Sequence, residues 1–248
     1  MIDTSASVVA HLPETLILWD IDHTLIENGG VSKATYALAF ELLTGHTPSV
    51  RPSTDGRTDF EIMHELLSTN SVDTEKYVDI TQFEGVLVEA MKRNVSQLSQ
   101  RGYILPGAVE TLMTLSTMPT VVQSVLTGNI ASNARTKLHA FGLDRWVDLD
   151  VGGFGSDDTI RSNLVDTARR KVLKRYGMTF DRSSTILIGD TPLDVKAAHD
   201  GGAKIITVTT GVHDTSQLIE AGADVTLDGL ADLDRFMATL AELRTGTC

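Results

Sequence analysis

Two carboxylates stand one residue apart in the stretch LILWDIDHTLIEN, residues 16–28. Four apolar residues lead directly into Asp20, and Asp22 follows after one isoleucine. Placing two anions this close together is unfavourable unless a cation or a reaction requires them. Residues i and i+2 of a strand face the same side, so both carboxylates can point into one crevice. The pair therefore predicts a chemical site.

Further polar residues stand near the ends of later apolar runs: Thr127-Gly128-Asn129 after the second run, Arg161 at the start of the helix after the third, and GDTPLD, residues 189–194, after the fourth. Pro192 suits the first turn of a helix. Asp190 and Asp194 are one helical turn apart, so both can point toward the ends of the strands. These residues are candidates for the same site.

The elements that would position these residues alternate along the chain. Near-continuous apolar runs predict strands buried on both faces, at 15–21, 120–128, 146–154, 184–190, 203–211 and 224–227. Helical periodicity covers 107–117, 130–141, 162–177, 193–200, 214–221 and 231–242. This alternation predicts an α/β fold in which helices cover both faces of a parallel sheet.

A long segment between the first two strands breaks the alternation. Residues 31–95 are almost wholly helical in pattern, and glycines mark both ends, at Gly29-Gly30 and at Gly102. We therefore predict two domains, an α/β catalytic core formed by residues 1–28 and 101–248 and a helical cap formed by residues 29–100.

Ligands of an open parallel sheet bind outside the carboxyl ends of its strands, where all the polar stretches fall. Up to four carboxylates would converge there: Asp20, Asp22, Asp190 and Asp194. A hard divalent cation with oxygen ligands is the simplest neutraliser, which favours Mg²⁺. The sequence offers no paired histidines or cysteines for a zinc site.

Composition excludes several other classes of protein. A formal net charge of −12 argues against a protein that coats nucleic acid, and the basic run at 169–175 is typical of a solvated helix face. The single cysteine, Cys248, fits a reducing compartment. The N-terminal residues lack the features of a secretory signal, and no apolar run approaches the roughly 20 residues that span a bilayer. We expect a cytoplasmic protein that binds neither nucleic acid nor membrane.

The motifs resemble those of the haloacid dehalogenase-like superfamily. DIDHT matches its DxDxT signature, and LTGN and GDTPLD are similar to its second and fourth motifs, in the expected order across nearly the whole core. The insertion after the first motif resembles the small helical cap of this superfamily. The resemblance implies a Rossmann-like parallel sheet with an inserted all-helical cap.

The resemblance also implies a reaction. Asp20 would be the nucleophile that forms an aspartyl-phosphate, and Asp22, with a raised pKa, would be the general acid and base. Mg²⁺ would be held by Asp20, Asp190, the backbone carbonyl of Asp22 and Asp194 through water. Thr127 would donate a hydrogen bond to a phosphoryl oxygen. Relatives that displace halide from carbon lack an acid at the position of Asp22, so its presence favours a phosphate ester.

Two positions depart from the superfamily pattern. His23 stands where glycine is most common. It either points away from the crevice, or it narrows the pocket or contacts the leaving group. The lysine of the third motif has no clean match. Arg161 stands at the expected place, with Lys171 and Lys174 as rivals two to three helical turns further on. We favour Arg161, both as a catalytic residue and as a phosphate ligand.

Other candidates for substrate binding have an equally plain structural interpretation. Arg57 is a candidate ligand for a substrate carboxylate or phosphate, whereas Thr58 and Glu61 form a helix-capping pattern. Gly128 and Asn129 are assigned to the phosphate site, although Asn129 suits a helix N-cap equally well.

The sequence thus predicts a Mg²⁺-dependent phosphatase acting on a small phosphorylated metabolite, similar to phosphoglycolate phosphatases, as a monomer or homodimer. A phosphomutase of the β-phosphoglucomutase type is the alternative, because it shares all four motifs and differs in the phosphoryl acceptor. A phosphoaspartate signalling module is a remote alternative. Such a module has no acid two residues after its aspartate and no helical insertion after its first strand.

Overall fold

The computed structural model describes residues 15–50 and 52–245. Its main sheet has six parallel strands in the order β5-β4-β1-β6-β7-β8. These strands are β1 (Thr15–Trp19), β4 (Val121–Thr127), β5 (Gly153–Phe154), β6 (Thr185–Gly189), β7 (Lys204–Val208) and β8 (Val225–Leu227). The predicted parallel sheet is confirmed, and β1 lies between β4 and β6.

Side chains alternate between the two faces of the central strand. Ile17 and Trp19 pack into one hydrophobic cluster, whereas Leu16 and Leu18 pack into the cluster on the opposite face. All four side chains are fully buried. This double burial explains why the first strand is continuously apolar, and it fixes the backbone that leads into the first motif.

Helices cover both faces of the sheet. They are α4 (Ala108–Ser116), α5 (Ala131–Ala140), α6 (Asn163–Tyr176), α7 (Pro192–Asp200), α8 (Thr215–Glu220) and α9 (Leu233–Thr245). Helices α4, α5 and α9 contribute to the cluster that contains Trp19, and α6 and α7 contribute to the other cluster. Among the residues that the structure describes, no helix is both long enough and apolar enough to cross a bilayer.

The insertion forms a separate helical layer. Helices α1 (Val31–Thr44), α2 (Asp59–Thr69) and α3 (Thr81–Arg101) surround their own apolar cluster, which includes Phe40 and Phe83. A short antiparallel pair, β2 (Ile26–Glu27) with β3 (Tyr103–Ile104), lies where the insertion leaves and rejoins the core. Gly29 has a φ of 63°, and a Cβ there would lie 2.5 Å from the carbonyl oxygen of Arg101. The glycine therefore allows the segment that leaves the core and the segment that returns to it to lie side by side.

Two details differ from the sequence prediction. The third strand, expected over 146–154, consists only of Gly153–Phe154. A 3-10 turn at Asp144–Trp146 occupies the start of that run, and Asp148 N donates a single bond to Gln123 O. Arg161 lies two residues before α6 rather than at its start. It is therefore held by a loop.

Candidate active site

Three polar residues meet at the carboxyl ends of neighbouring strands. Asp20 follows β1, Thr127 ends β4, and Asp190 follows β6. We call these three the strand-end residues. All are at least nine-tenths buried. They line a cavity of about 40 Å³ together with residues from the loops and from the insertion, including Asp22, His23, Asn28, Ser32, Tyr36, Arg57, Asn129 and Arg161.

Arg161 binds the acidic residues directly. Its Nη2 donates to Asp20 Oδ1 at 2.8 Å and to Asp194 Oδ1 at 2.5 Å, and its side chain is only 9% exposed. The rival Lys171 instead binds Asp157 and the carbonyl of Gly152, and Lys174 is exposed. The structure therefore brings Arg161, rather than either lysine, to the carboxylate predicted to be the nucleophile.

Asp20, Asp190 and Asp194 form a cluster that suits a metal ion. One carboxylate oxygen from each lies within 4.8 Å of the other two. Burial raises the pKa of Asp20 to about 7, although Arg161 opposes the shift. Burial and the charges of Asp194 and Asp20 also raise the pKa of Asp190 well above its usual range. Buried carboxylates that repel one another in this way favour a hard cation beside them.

The balance of charges supports the same interpretation. The four carboxylates of the site carry four negative charges when ionised, and Arg161 and Lys137 supply two positive charges to them. When all four are ionised, these two cations leave the site negatively charged, which favours a further cation beside it. The donor set is all oxygen, as Mg²⁺ prefers.

Asp194 is already held by several hydrogen bonds. Its Oδ2 accepts from Thr191 N at 3.0 Å and from Thr191 Oγ1 at 2.7 Å, forming the capping box of α7. Its Oδ1 accepts from Arg161. Pro192 occupies the first turn of the helix, as predicted. Because both oxygens of Asp194 have partners, the arrangement fits the expectation that Asp194 reaches a metal through water.

Asp22 belongs to a second network on the other side of the cavity. Its Oδ1 accepts from Asn28 Nδ2 at 2.8 Å, and its Oδ2 accepts from Asn129 Nδ2 at 3.1 Å and from Lys137 Nζ at 2.5 Å. Burial alone would raise its pKa, but the charge of Lys137 and these hydrogen bonds outweigh burial and lower the pKa of Asp22. The raised pKa expected for this residue is therefore wrong for the protein without a metal or substrate.

Lys137 is a site residue that the sequence analysis missed. It lies on α5 and its side chain is 1% exposed. It belongs to a buried stripe with the spacing i, i+3, i+4, i+7, i+8, formed by Ile130, Asn133, Ala134, Lys137 and Leu138. A lysine within the buried stripe of a helix is rare unless it is paired. The position of Lys137 within this stripe is the sequence feature that could have identified it as a site residue.

The turn after β4 presents three polar groups to the cavity. Asn129 Nδ2 donates to Thr127 Oγ1 at 2.8 Å, and Asn129 N donates to the same oxygen at 3.3 Å. Thr127 therefore accepts two bonds, and its own O–H is left to donate to a ligand. The N-cap of α5 is Ile130, without a side-chain bond, so the N-cap interpretation of Asn129 is wrong.

His23 adopts a backbone conformation that explains why glycine is common at this position. Its φ is 62°, in the left-handed region that side chains other than glycine disfavour. It lines the cavity, and its Nδ1 lies 2.9 Å from a carboxylate oxygen of Glu27. Of the two interpretations left open, the structure therefore favours the one in which His23 narrows the pocket.

The insertion closes the cavity with residues 54–58, which we call the cap loop. Arg57 lines the cavity, but its guanidinium group pairs with Glu65 and with the carbonyl of Glu61. Thr58 and Glu61 form the predicted capping box of α2. Arg57 is therefore near the site while its charge is already paired within the insertion.

Several contacts connect the cap loop to the core. A Cβ on Gly128 would lie 2.0 Å from Arg57 O, and one on Gly56 would lie 2.4 Å from Thr191 Oγ1. Thr58 Oγ1 donates to Thr159 O at 3.3 Å. The cap loop thus contacts the second, third and fourth motif segments.

Asp59, the residue after the cap loop, makes two bonds to the turn after β4. Its N donates to Gly128 O at 2.8 Å, and its Oδ2 accepts from Ile130 N at 2.8 Å. Its Oδ1 accepts from Tyr36 Oη at 2.6 Å. Burial raises the pKa of Asp59 to about 6, although these hydrogen bonds oppose the shift. A buried carboxylate of the insertion therefore fastens the cap to the core.

A parallel sheet with acidic residues at its strand ends and a helical insertion after its first strand is the arrangement that the resemblance to the haloacid dehalogenase-like superfamily implies. Residues 162–233 match a family model described as HAD-hydrolase-like. A "Probable phosphatase IndB" from Dickeya dadantii is 26% identical over 220 residues, which cover 88% of this chain and 91% of that protein.

Solved structures show the same fold. A hydrolase from Pseudomonas syringae has a TM-score of 0.66 at 22% identity, covering 91% of this chain and 99% of that one. A "predicted phosphoglycolate phosphatase" from Haemophilus somnus 129PT has a TM-score of 0.64 at 16% identity, covering 91% of this chain and 98% of that one. With the motifs in their expected order, these matches confirm the resemblance. In its motifs, its fold and these matches, the chain is similar to haloacid dehalogenase-like hydrolases.

Proposed function

We propose that this chain is a Mg²⁺-dependent phosphatase that hydrolyses the phosphate monoester of a small metabolite through an aspartyl-phosphate. The proposal depends on the observation that Asp20 and Asp22 line one cavity but belong to separate networks of hydrogen bonds. Asp20 is held by Arg161 beside two further carboxylates. Asp22 is held by Asn28, Asn129 and Lys137. Different surroundings for two neighbouring carboxylates favour different chemical roles.

Asp20 would be the nucleophile. Arg161 binds its Oδ1, so the second carboxylate oxygen is the one that bonds to phosphorus while the bond from phosphorus to the leaving oxygen breaks. Arg161 and the free O–H of Thr127 would stabilise the charge on the phosphoryl oxygens. The negative charge of a bound phosphoryl group would raise the lowered pKa of Asp22, and the protonated Asp22 would then give its proton to the leaving oxygen. In the second step it would take a proton from the water that releases phosphate and regenerates Asp20.

The surroundings of Asp20 support a requirement for a cation. A nucleophilic carboxylate must be ionised, yet the pKa of Asp20 is raised to about 7 by burial. Asp20, Asp190 and Asp194 would hold Mg²⁺, and the bound cation would supply positive charge that favours the ionised nucleophile and offsets phosphoryl charge. Asp190 accepts from Thr24 Oγ1 at 3.3 Å, which orients its carboxylate.

The narrow space beneath the cap loop favours a small substrate. About 40 Å³ accommodates only a few water molecules. A phosphoryl group and a short leaving group would therefore fill the space beneath the cap loop. Larger esters would require the cap to remain open, which would admit bulk water. This argument, together with the similarity to the predicted phosphoglycolate phosphatase, supports a two- or three-carbon phosphate as the first candidate.

Phosphate release from an aryl phosphate and from a panel of metabolite phosphates tests the proposal. We expect release that requires Mg²⁺, stops with chelator and is abolished in Asp20→Asn. No release by the wild type from any member of the panel would contradict it. Transfer of the phosphoryl group to a sugar phosphate faster than to water would instead identify the phosphomutase that shares these motifs.

A further inference from the structure

Lys137 occupies a position for which the reaction above gives no reason. It is the buried lysine of α5, and its Nζ contacts both Asp22 and Asn129. We infer that Lys137 is a positioning residue, which together with Asn129 fixes the Asp22 carboxylate so that one defined oxygen faces the leaving group. The inference rests on the proposed function and adds to it a residue outside the four motifs.

The three side chains form a closed triangle of hydrogen bonds. Lys137 Nζ donates to Asp22 Oδ2 at 2.5 Å and to Asn129 Oδ1 at 2.7 Å, and Asn129 Nδ2 donates to the same Asp22 oxygen at 3.1 Å. The two bonds to Oδ2, together with the bond from Asn28 Nδ2 to Oδ1, fix both the position and the rotation of the carboxylate. A single contact would leave the carboxylate free to rotate.

The triangle also distinguishes the two oxygens of Asp22. Oδ2 receives two donors, which use both of its lone pairs. Oδ1 receives one donor, Asn28 Nδ2 at 2.8 Å, so it keeps one open position. The geometry therefore presents Oδ1, rather than Oδ2, to a leaving-group oxygen.

Asn129 connects this triangle to the phosphate side of the cavity. Its Nδ2 also donates to Thr127 Oγ1 at 2.8 Å. The residue that orients the leaving-group acid and the residue that contacts the phosphoryl group therefore share one anchor. Lys137 lies on the Asp22 side of that anchor, whereas Arg161 contacts Asp20 and Asp194. Loss of Lys137 should thus affect departure of the leaving group more than binding of phosphate.

The dependence of the rate on the leaving group distinguishes this role from a purely structural one. An aryl phosphate releases a stable phenolate and has little need of an acid, whereas an alkyl phosphate needs the proton. In Lys137→Met we expect kcat for the alkyl phosphate to fall on the order of 10²-fold. The fall for the aryl phosphate should be several times smaller, with KM for both nearly unchanged.

Lys171→Met is the matched control, because Lys171 is a half-buried lysine that pairs with Asp157 on the surface of the core. It should leave both rates unchanged. If Lys137→Met does not fold, Lys137→Gln keeps a hydrogen-bond donor without the charge. Lys137→Gln should show the same selective loss to a smaller extent. Equal losses for the two substrates, or none for either, would overturn the inference.

Crystal structures of the wild type and Lys137→Met test the positioning role independently of turnover. We expect the Asp22 carboxylate to rotate or to become disordered in the variant while Asp20 and Arg161 keep their positions. An unchanged Asp22 would overturn the inference even if the enzyme is a phosphatase. A displaced Asp22 in a protein that releases no phosphate would support the inference and refute the proposed function.

Discussion

The two sides of the cavity are built in different ways. The strand-end residues extend from neighbouring strands of one sheet, and Asp20 N is itself bonded to Ile188 O at 2.8 Å. The cap loop and Asp59 are held to the core by a few hydrogen bonds and by close backbone packing. Groups on a rigid sheet can hold reacting atoms, whereas a few separate bonds can break and re-form. We therefore expect the sheet residues to carry out the reaction and the cap to control access of the substrate to them.

Replacing Arg161, the loop residue that binds Asp20 after β1, tests the sheet side of the cavity and should have the largest effect. Arg161→Met removes the partner of Asp20 and Asp194, and we expect kcat to fall on the order of 10²–10³-fold. Arg161→Lys should recover part of the loss, since it restores charge without the forked geometry. Steady-state phosphate release measures both variants. A larger loss in Lys171→Met than in Arg161→Met would show that the basic residue has been misassigned.

Replacing Asp59 tests the cap side. Asp59→Ala leaves the N–H of Ile130 and the O–H of Tyr36 without their acceptors in a buried region. We expect the free energy of unfolding to fall by about 2–6 kcal/mol, because each of the two buried unpaired donors costs about 1–3 kcal/mol. Tyr36→Phe removes only one donor and should cost about 1 kcal/mol. Urea denaturation compares the two, and equal losses would mean that the bond to Ile130 contributes nothing.

The raised pKa of Asp59 predicts a dependence of stability on pH. Its pKa is about 6 in the folded protein and near 3.8 in the unfolded chain, so between these values the folded state holds the extra proton. The free energy of unfolding should therefore fall as pH rises from about 4 to about 6, by roughly 3 kcal/mol from this group. The difference between wild type and Asp59→Asn isolates the contribution. A difference independent of pH would contradict it.

Two glycines with similar backbone angles allow the effect of backbone strain to be distinguished from the effect of the contact between the cap loop and the core. Gly56 has a φ of +68°, and its Cβ would meet Thr191, whereas Gly45 has a φ of +77° and nothing within 4 Å. Both alanine variants should lose about 1 kcal/mol of stability from the left-handed backbone. Only Gly56→Ala should also raise KM, because it pushes the cap loop away from the core. Similar kinetics in the two variants would show that this contact has no role in closure.

His23 should give the smallest effect. At a φ of 62°, His23→Gly should be more stable than His23→Ala by about 1 kcal/mol, the reverse of the order expected at an ordinary position. Thermal unfolding of the two variants measures the difference. Equal stability would mean that the strain at this position is relieved elsewhere.

The sequence predicted the sheet side of the site better than the cap side. Asp20, Thr127 and Asp190 follow apolar runs whose burial on both faces leaves a strong pattern, and parallel strands bring their carboxyl ends together. Arg161 was predicted by its place in the motif order. The short third strand was overestimated, because an apolar run ending in Gly152-Gly153 does not specify how many residues pair.

Lys137 and Asp59 were missed because their roles depend on tertiary contacts. The residue type of Lys137 is typical of a solvated position, and only the periodicity of α5 indicates that it is buried. Asp59 reads as an acidic residue in the first turn of α2, a common helix feature, yet it binds Ile130 across the interface. Arg57 is the opposite case, because the sequence made it a candidate substrate ligand and did not indicate that it pairs with Glu65.

Trapping of the phosphorylated enzyme tests the central claim most directly. Asp22→Asn should still accept a phosphoryl group from a radiolabelled aryl phosphate, since that leaving group needs little acid. It should lose the group slowly, because the base for the attacking water is gone. After acid quenching and proteolysis, we predict label on the peptide that contains Asp20, and no label when Asp20→Asn is added. Phosphate release by the wild type with no label on that peptide in either protein would contradict the account.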